Sequence, residues 1–322
     1  MSETGETGET GEEIEKKSAN PLVALTVLRP RQWTKNFIAY APLLFAGRFA
    51  EPDAFLAVSA CTICLCLVSG SVYVANDLKD READAKHPAK RLRPIASGKV
   101  SPGTATIVGA AALILGLAGG FLVRPSVALT LILYLLLQVL YNSTLKKIPI
   151  LDVFSIATGF VLRAVAGGAA AQVELSSWFL LCTTLGALFL AVEKRRQEMK
   201  VLKDKAGEHR AVFDRYSMEL ISRMEMVIVP SLVTCYAMYS SKAPSGNWMM
   251  LTVPFVLYGI FRYLLLSTTR TVTGTPEDVL LKDRPIQISI VLWILTSAGV
   301  VYGFIPRAVE AIINFVDSYR LF

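Results

Sequence analysis

Apolar residues in this chain neither alternate nor form narrow stripes; they run in long blocks separated by short polar stretches. A membrane-spanning helix needs roughly 20 mostly apolar residues, and the blocks predict nine spans. These run at about Asn36 to Gly47, Ala54 to Asn76, Gly103 to Val123, Ser126 to Tyr141, Ile150 to Gln172, Ser177 to Val192, Glu225 to Ser240, Trp248 to Leu266 and Ile286 to Ile305. The first is short, because Arg29, Pro30, Arg31 and Gln32 interrupt an apolar run that begins at Leu22. Beyond the last span, Val309, Ile312, Ile313, Val316 and Tyr319 recur at helical spacing within residues 306–322, which predicts an amphipathic helix lying in the membrane interface. The expected fold class is therefore all-α, a polytopic membrane helical bundle of about nine transmembrane helices over residues 21–305. Residues 1–20, a Glu-Thr-Gly repeat followed by Lys16 and Lys17, have too little apolar content for a core and are expected to form a disordered acidic tail. They lack a cleavable-signal pattern, so insertion is expected to rest on the first span.

Composition agrees: 53% of the 322 residues are hydrophobic and the mean hydropathy is +0.48, well above the needs of a water-soluble domain. The net charge of +7 would suit a nucleic-acid partner, but its placement argues against one. Of 33 Lys and Arg residues, 21 fall in the four loops 77–102, 142–149, 193–224 and 267–285, all on one side if the spans alternate. That bias predicts a multi-pass protein of the cell membrane, with these loops, the N-terminus and the active site in the cytosol. Cys61, Cys64, Cys66, Cys182 and Cys235 all lie within predicted spans without a nearby histidine, and are expected to pack as small apolar side chains.

The loop after the second span carries Asn76-Asp77-x2-Asp80-x3-Asp84. If the helix continues to Lys86, the three aspartates share one face. Carboxylates that close repel one another unless a cation joins them, and magnesium takes a couple of carboxylates with water and phosphate oxygens. The other reading is a solvated helix surface, its acids offset by Lys79, Arg81 and Lys86. The adjoining run His87-Pro88-x-Lys90-Arg91-x-Arg93-Pro94 favours a metal-phosphate site, since it sets bases beside the acids. His87 is expected to close a turn or contact phosphate, with no proton-transfer role. After the sixth span, Glu193-Lys194-Arg195-Arg196-Gln197-Glu198 opens a basic loop that either binds phosphate directly or anchors a helix end in anionic headgroups. Arg163 lies inside the fifth span, where an unpaired guanidinium costs a few kcal/mol. It must face a polar cavity or pair with Asp152 or Glu193.

With these residues, the chain resembles the UbiA superfamily of intramembrane prenyltransferases over nearly its whole length after residue 25. Tyr141-x4-Lys146-x5-Asp152 is similar to that superfamily's second motif. Arg29-Pro30-Arg31-Gln32-Trp33-Thr34-Lys35-Asn36, Leu162-Arg163-Ala164-x-Ala166-Gly167-Gly168 and Pro276-Glu277-Asp278-x3-Lys282-Asp283-Arg284 resemble a branch that handles phosphoribosyl groups. The resemblance implies Mg2+-dependent transfer of 5-phosphoribosyl from phosphoribosyl diphosphate to a polyprenyl phosphate, with release of diphosphate, for a cell-envelope sugar donor. It implies Asp77, Asp80 and Asp84 as metal-holding residues, with Arg163 in the catalytic wall. Substrate contacts are expected from Lys35, Asn36, Asn76, Lys86, Lys90, Arg91, Arg93, Tyr141, Lys146, Asp152, Lys194, Arg195, Lys282 and Arg284. The alternatives are a prenyltransferase acting on an aromatic acceptor such as 4-hydroxybenzoate, and a non-enzymatic lipid-phosphate carrier. The first is weakened because the loop after the sixth span is basic where prenyltransferases of the superfamily carry a second aspartate motif.

Overall fold

The computed structural model describes residues 21–88, 90–203, 216–243, 245–269, 279 and 282–319. The tail 1–20, His209 and Pro276 to Asp278 lie outside them. Every regular element among the described residues is helical. The chain enters through α1 (Pro21–Leu25), 3-10 turns over Thr26–Leu28 and Pro30–Tyr40, and α2 (Ala41–Phe45). It continues through α3 (Pro52–Lys79), α4 (Arg81–Lys86), a 3-10 turn over Lys90–Leu92, α5 (Pro102–Val123), α6 (Pro125–Ser143), α7 (Leu151–Ala171) and α8 (Ser177–Lys203). After α9 (Met218–Ser241), a 3-10 stretch over Gly246–Thr252 leads into α10 (Val253–Thr268), followed by α11 (Arg284–Val301) and α12 (Phe304–Tyr319). Among the described residues, eight helices are long and apolar enough to cross a bilayer: α3, α5, α6, α7, α8, α9, the Gly246–Thr268 unit and α11. The chain is a multi-pass membrane protein. Proline opens α3, α5, α6 and α11, where its missing N–H would be unbonded in any case. Side-chain oxygens of Ser101, Ser217 and Asp283 cap α5, α9 and α11.

The first expected span, short in the sequence, is a run of 3-10 turns and a short helix and stands apart from the eight long helices. The segment nevertheless joins the two ends of the bundle. Arg29 bonds Asp77 at the C-terminal end of α3, while Arg48 Nη1 donates to the Ala171 carbonyl at the C-terminal end of the oppositely running α7, 2.6 Å away. A 3-10 helix rises about 2.0 Å per residue, so Pro30–Tyr40 and α2 together cover about 30 Å, the thickness of the hydrocarbon core. This ninth crossing presses hard on α7: a Cβ on Gly167 would sit 1.9 Å from the Ala39 carbonyl oxygen. Only glycine admits that approach.

Small residues also bring α3 and α5 together. Gly109, Ala112, Gly116 and Gly120 are buried, and a Cβ on Gly116 would lie 2.8 Å from the Val68 side chain. The opposite face of α5 exposes Ile107, Ile114, Leu115 and Leu122, as a lipid-facing helix does. Cys61, Cys64 and Cys66 are buried free thiols within this packing, as expected. The C-terminal amphipathic pattern forms α12, which leaves Ile312, Ile313, Phe315 and Val316 exposed.

Candidate active site

A cavity of about 1270 Å³ is walled by the first crossing, α3, α6, α7, α8 and α11. One end gathers the C-terminal ends of α3, α6 and α8 and is charged: Arg29, Asn76, Lys90, Arg93, Tyr141, Asn142, Lys194 and Glu198 line it. Lys35, Gln138 and Arg163 follow further in, and then Leu44, Phe45, Phe49, Trp293 and Tyr302. Charge at one end and aromatic rings at the other suit a ligand with a polar head and an apolar tail.

At the charged mouth, Asp77 and Asp84 are each 3% exposed. Arg93 Nη1 donates to Asp77 Oδ1 at 3.0 Å and also to Asp84 Oδ2. Arg29, whose φ of 53° is left-handed, donates from Nε to Asp77 Oδ2 at 3.1 Å and from Nη2 to Oδ1. Lys90 Nζ stands 4.0 Å from Asp84 Oδ1, and His87 Nδ1 accepts the Lys90 N–H, closing the turn. Asp80 differs. The helix breaks there, at φ −94° and ψ 8°, instead of continuing to Lys86, and its side chain is exposed. Across this break Arg93 draws Asp77 and Asp84 together, while Asp80 is left exposed. Of the three expected carboxylates, Asp77 and Asp84 converge while Asp80 stands apart, and no group of three His, Cys, Asp or Glu placed to hold a metal occurs among the described residues. Two carboxylates converging on a single cationic nitrogen still fit magnesium, which fills its remaining positions with phosphate and water.

The basic run on α8 divides three ways, because successive residues turn by about 100°. Lys194 lines the cavity. Arg195 turns behind the wall, with Nε 2.9 Å from Asp152 Oδ2 in a pair whose side chains are 4% and 0% exposed. The Tyr216 hydroxyl donates to Asp152 Oδ1 at 2.7 Å and accepts the Ile150 N–H at 2.8 Å. Burial, reinforced by the Asp152 carboxylate, pushes the Tyr216 phenol up, so it stays a donor. Arg196 faces away and bonds Glu193 and Glu225. Asp152 and Arg195, expected at the substrate, therefore form a scaffold behind it. Arg195 touches two wall residues: Nη1 donates to Glu198, and Nη2 lies 3.4 Å from the Tyr141 hydroxyl.

Arg163 is 5% exposed and sits midway along the cavity. Its Nε donates to Asn36 Oδ1 at 2.8 Å, its Nη2 donates to the Tyr134 hydroxyl at 2.7 Å, and its guanidinium lies 4.8 Å and 5.2 Å from the Tyr134 and Phe160 ring centres. The ion pair with Asp152 or Glu193 is absent, since those carboxylates face Arg195 and Arg196. Asn36, held by Cys66 Sγ and Ser69 Oγ, stands behind Arg163 and outside the cavity wall. Both hydrogen-bond partners are neutral, which leaves the positive charge of Arg163 for an anion.

Of the expected contacts, Lys35, Asn76, Lys90, Arg93, Tyr141, Arg163 and Lys194 share the cavity. Lys86, Arg91, Lys282 and Arg284 are exposed outside its wall, and Lys146 does not line it. Sequence reasoning passed over Arg29, Gln138, Asn142 and Glu198. Signals for three of them were in the sequence: Glu198 follows Lys194 by one helical turn, and Tyr134, Gln138, Tyr141 and Asn142 recur on one face of α6.

Residues 37–276 match the UbiA prenyltransferase family. The chain belongs to this family. Similar UbiA proteins include decaprenyl-phosphate phosphoribosyltransferase of Mycobacterium tuberculosis, 32% identical over 284 residues that cover 86% of this chain and 93% of that one. The protein of the same name from Corynebacterium glutamicum is also 32% identical, covering 86% of both chains. Among solved structures, a UbiA homolog from Archaeoglobus fulgidus bound to DMAPP and Mg2+ superposes with a TM-score of 0.65 at 18% identity, covering 87% of this chain and 99% of that one. The UbiA bundle thus accounts for the eight long helices around a cavity.

Proposed function

We propose that this UbiA protein transfers 5-phosphoribosyl from phosphoribosyl diphosphate to a polyprenyl phosphate and releases diphosphate. The observation that carries the reading is the asymmetry of the mouth. One side offers a pair of carboxylates with Arg29 and Arg93, and the other offers Lys194 to the ligand directly. A donor carrying a diphosphate and an acceptor carrying a single phosphate match those two poles, and the names of the mycobacterial and corynebacterial relatives support the match.

Asp77 and Asp84 would hold Mg2+, which when bound neutralises charge on the diphosphate. Arg29 and Arg93 then turn from the carboxylates to phosphate oxygens, which a guanidinium grips in bidentate fashion. The bond from ribose C1 to the diphosphate oxygen breaks, and a lipid phosphate oxygen bonds C1 in its place. That nucleophile is already anionic and needs positioning more than a general base. Lys35, Arg163 and Lys194 are placed to do this, while the rings of Phe45, Phe49 and Trp293 receive the first isoprene units. The charge bias of the loops supports a mouth on the cytosolic side, with α12 in the far interface and its exposed apolar side chains in the acyl region. The product serves as a cell-envelope sugar donor.

The test incubates membranes bearing the protein with labelled phosphoribosyl diphosphate and polyprenyl phosphate, with and without magnesium. Metal-dependent label in the lipid is expected. Transfer of a prenyl group to 4-hydroxybenzoate, with none of phosphoribosyl to lipid, would overturn the reading.

A further inference from the structure

The cavity wall contains a group that neither phosphate nor lipid needs. Glu198 is the only carboxylate among the described residues lining the cavity, and it stands beside Lys194 and Tyr141 at the charged mouth. Asp77 and Asp84 lie behind the surface. An anion repels a phosphate unless a metal joins them, and an isoprenoid tail carries no donor for it. Hydroxyl groups do, and a carboxylate with two oxygens can accept from both hydroxyls of a vicinal diol.

Its placement is deliberate in physical terms. Leu190, Ala191, Lys194 and Glu198 fall on one face of α8 and all line the cavity, so the helix itself presents Glu198 to that space. Arg195 holds one oxygen, Oε2, from behind; Asp152 holds Arg195, and Tyr216 in turn holds Asp152. Because Asp152 compensates the guanidinium too, this support orients the carboxylate toward the mouth. The side chain remains 28% exposed, with Oε1 unused by that bond.

We infer that Glu198 accepts hydrogen bonds from the ribose 2- and 3-hydroxyls of the donor, and so selects a ribosyl over an isoprenyl donor. The inference rests on the phosphoribosyl reading and names the residue that reads the sugar.

The test compares phosphoribosyl diphosphate with its 2-deoxy, 3-deoxy and 2,3-dideoxy analogues in wild type, Glu198→Gln and Glu198→Ala. Wild type should prefer the full donor in kcat/KM by about 10- to 100-fold, the usual range for hydrogen bonds to a charged group. Glu198→Ala should lose that preference by slowing on the full donor while holding the dideoxy donor within about twofold. Glu198→Gln, a neutral acceptor, should fall between. Equal use of all donors by wild type, or equal loss on all donors in Glu198→Ala, overturns the inference. So does a tenfold shift in half-saturating magnesium, which would make Glu198 a metal ligand. If the variants do not fold, a structure of the wild type with donor decides: ribose hydroxyls within hydrogen-bond distance of Glu198 support the assignment, and a sugar turned from it overturns it. Absence of any phosphoribosyl transfer by wild type would instead sink the underlying function.

Discussion

The two charged poles of the mouth use the same chemistry, arginine on carboxylate, to opposite ends. At the α3 pole the arginines are accessible: Arg29 and Arg93 side chains are 25% and 29% exposed and line the cavity. At the α8 pole Arg195 and Arg196 are sealed, and Asp152 and Glu193 are fully buried. An accessible pair can exchange partners when a cation or phosphate arrives. A sealed pair cannot, because separating its charges away from water is too unfavourable. On the proposed function, the first pole is the working site, and the second is a frame behind Glu198.

The comparison breaks most readily at the frame. Asp152→Ala leaves Arg195 buried without its main anion, and the expected loss is about 3–5 kcal/mol of stability, read as an earlier thermal transition in detergent. At the working pole, Asp77→Asn or Asp84→Asn should lower phosphoribosyl transfer at least ~100-fold, with membrane insertion and thermal stability preserved. A thermal loss as large as that of Asp152→Ala would erase the distinction between the poles. Tyr216→Phe removes one donor from Asp152 and should cost about 1–3 kcal/mol. It should also flatten the alkaline limb of stability. Folding raises the Tyr216 phenol above its ordinary value of 10.0, so its contribution is present below that value and fades as pH rises through the higher folded one. Thermal transitions from pH 8 to 11 in both proteins check this. The smallest effect belongs to Asp80→Asn, which should change turnover by less than about twofold, as surface substitutions do. A loss matching that of Asp77→Asn would restore the three-carboxylate site.

What the sequence made legible was local. Blocks of apolar residues predict the eight long helices, and the seven-residue interval between Asp77 and Asp84 predicts their shared face. Asp80 misled because the break that turns it outward lies in its own φ and ψ, and no residue pattern marks it. The frame was hidden for a different reason. Asp152 is 43 positions from Arg195 in the chain and 64 from Tyr216, so only tertiary packing brings them to it. Consecutive Lys194, Arg195 and Arg196 read as one basic patch in a string. Wrapped on a helix, they become one cavity-lining side chain and two structural bonds.

The 3-10 geometry of the first crossing does more than shorten it. With three residues per turn, side chains at i and i+3 eclipse and rows run straight along the axis. Gln32, Lys35, Ile38 and Ala41 form one such row, and Thr34, Phe37 and Tyr40 another, and every one of them faces the cavity. The third row, Asn36 and Ala39, is buried against the bundle. An α-helix would wind its rows out of the cavity within a few turns. Here a long flexible ligand meets, in single file, a rail that grades from amide and ammonium to hydrocarbon.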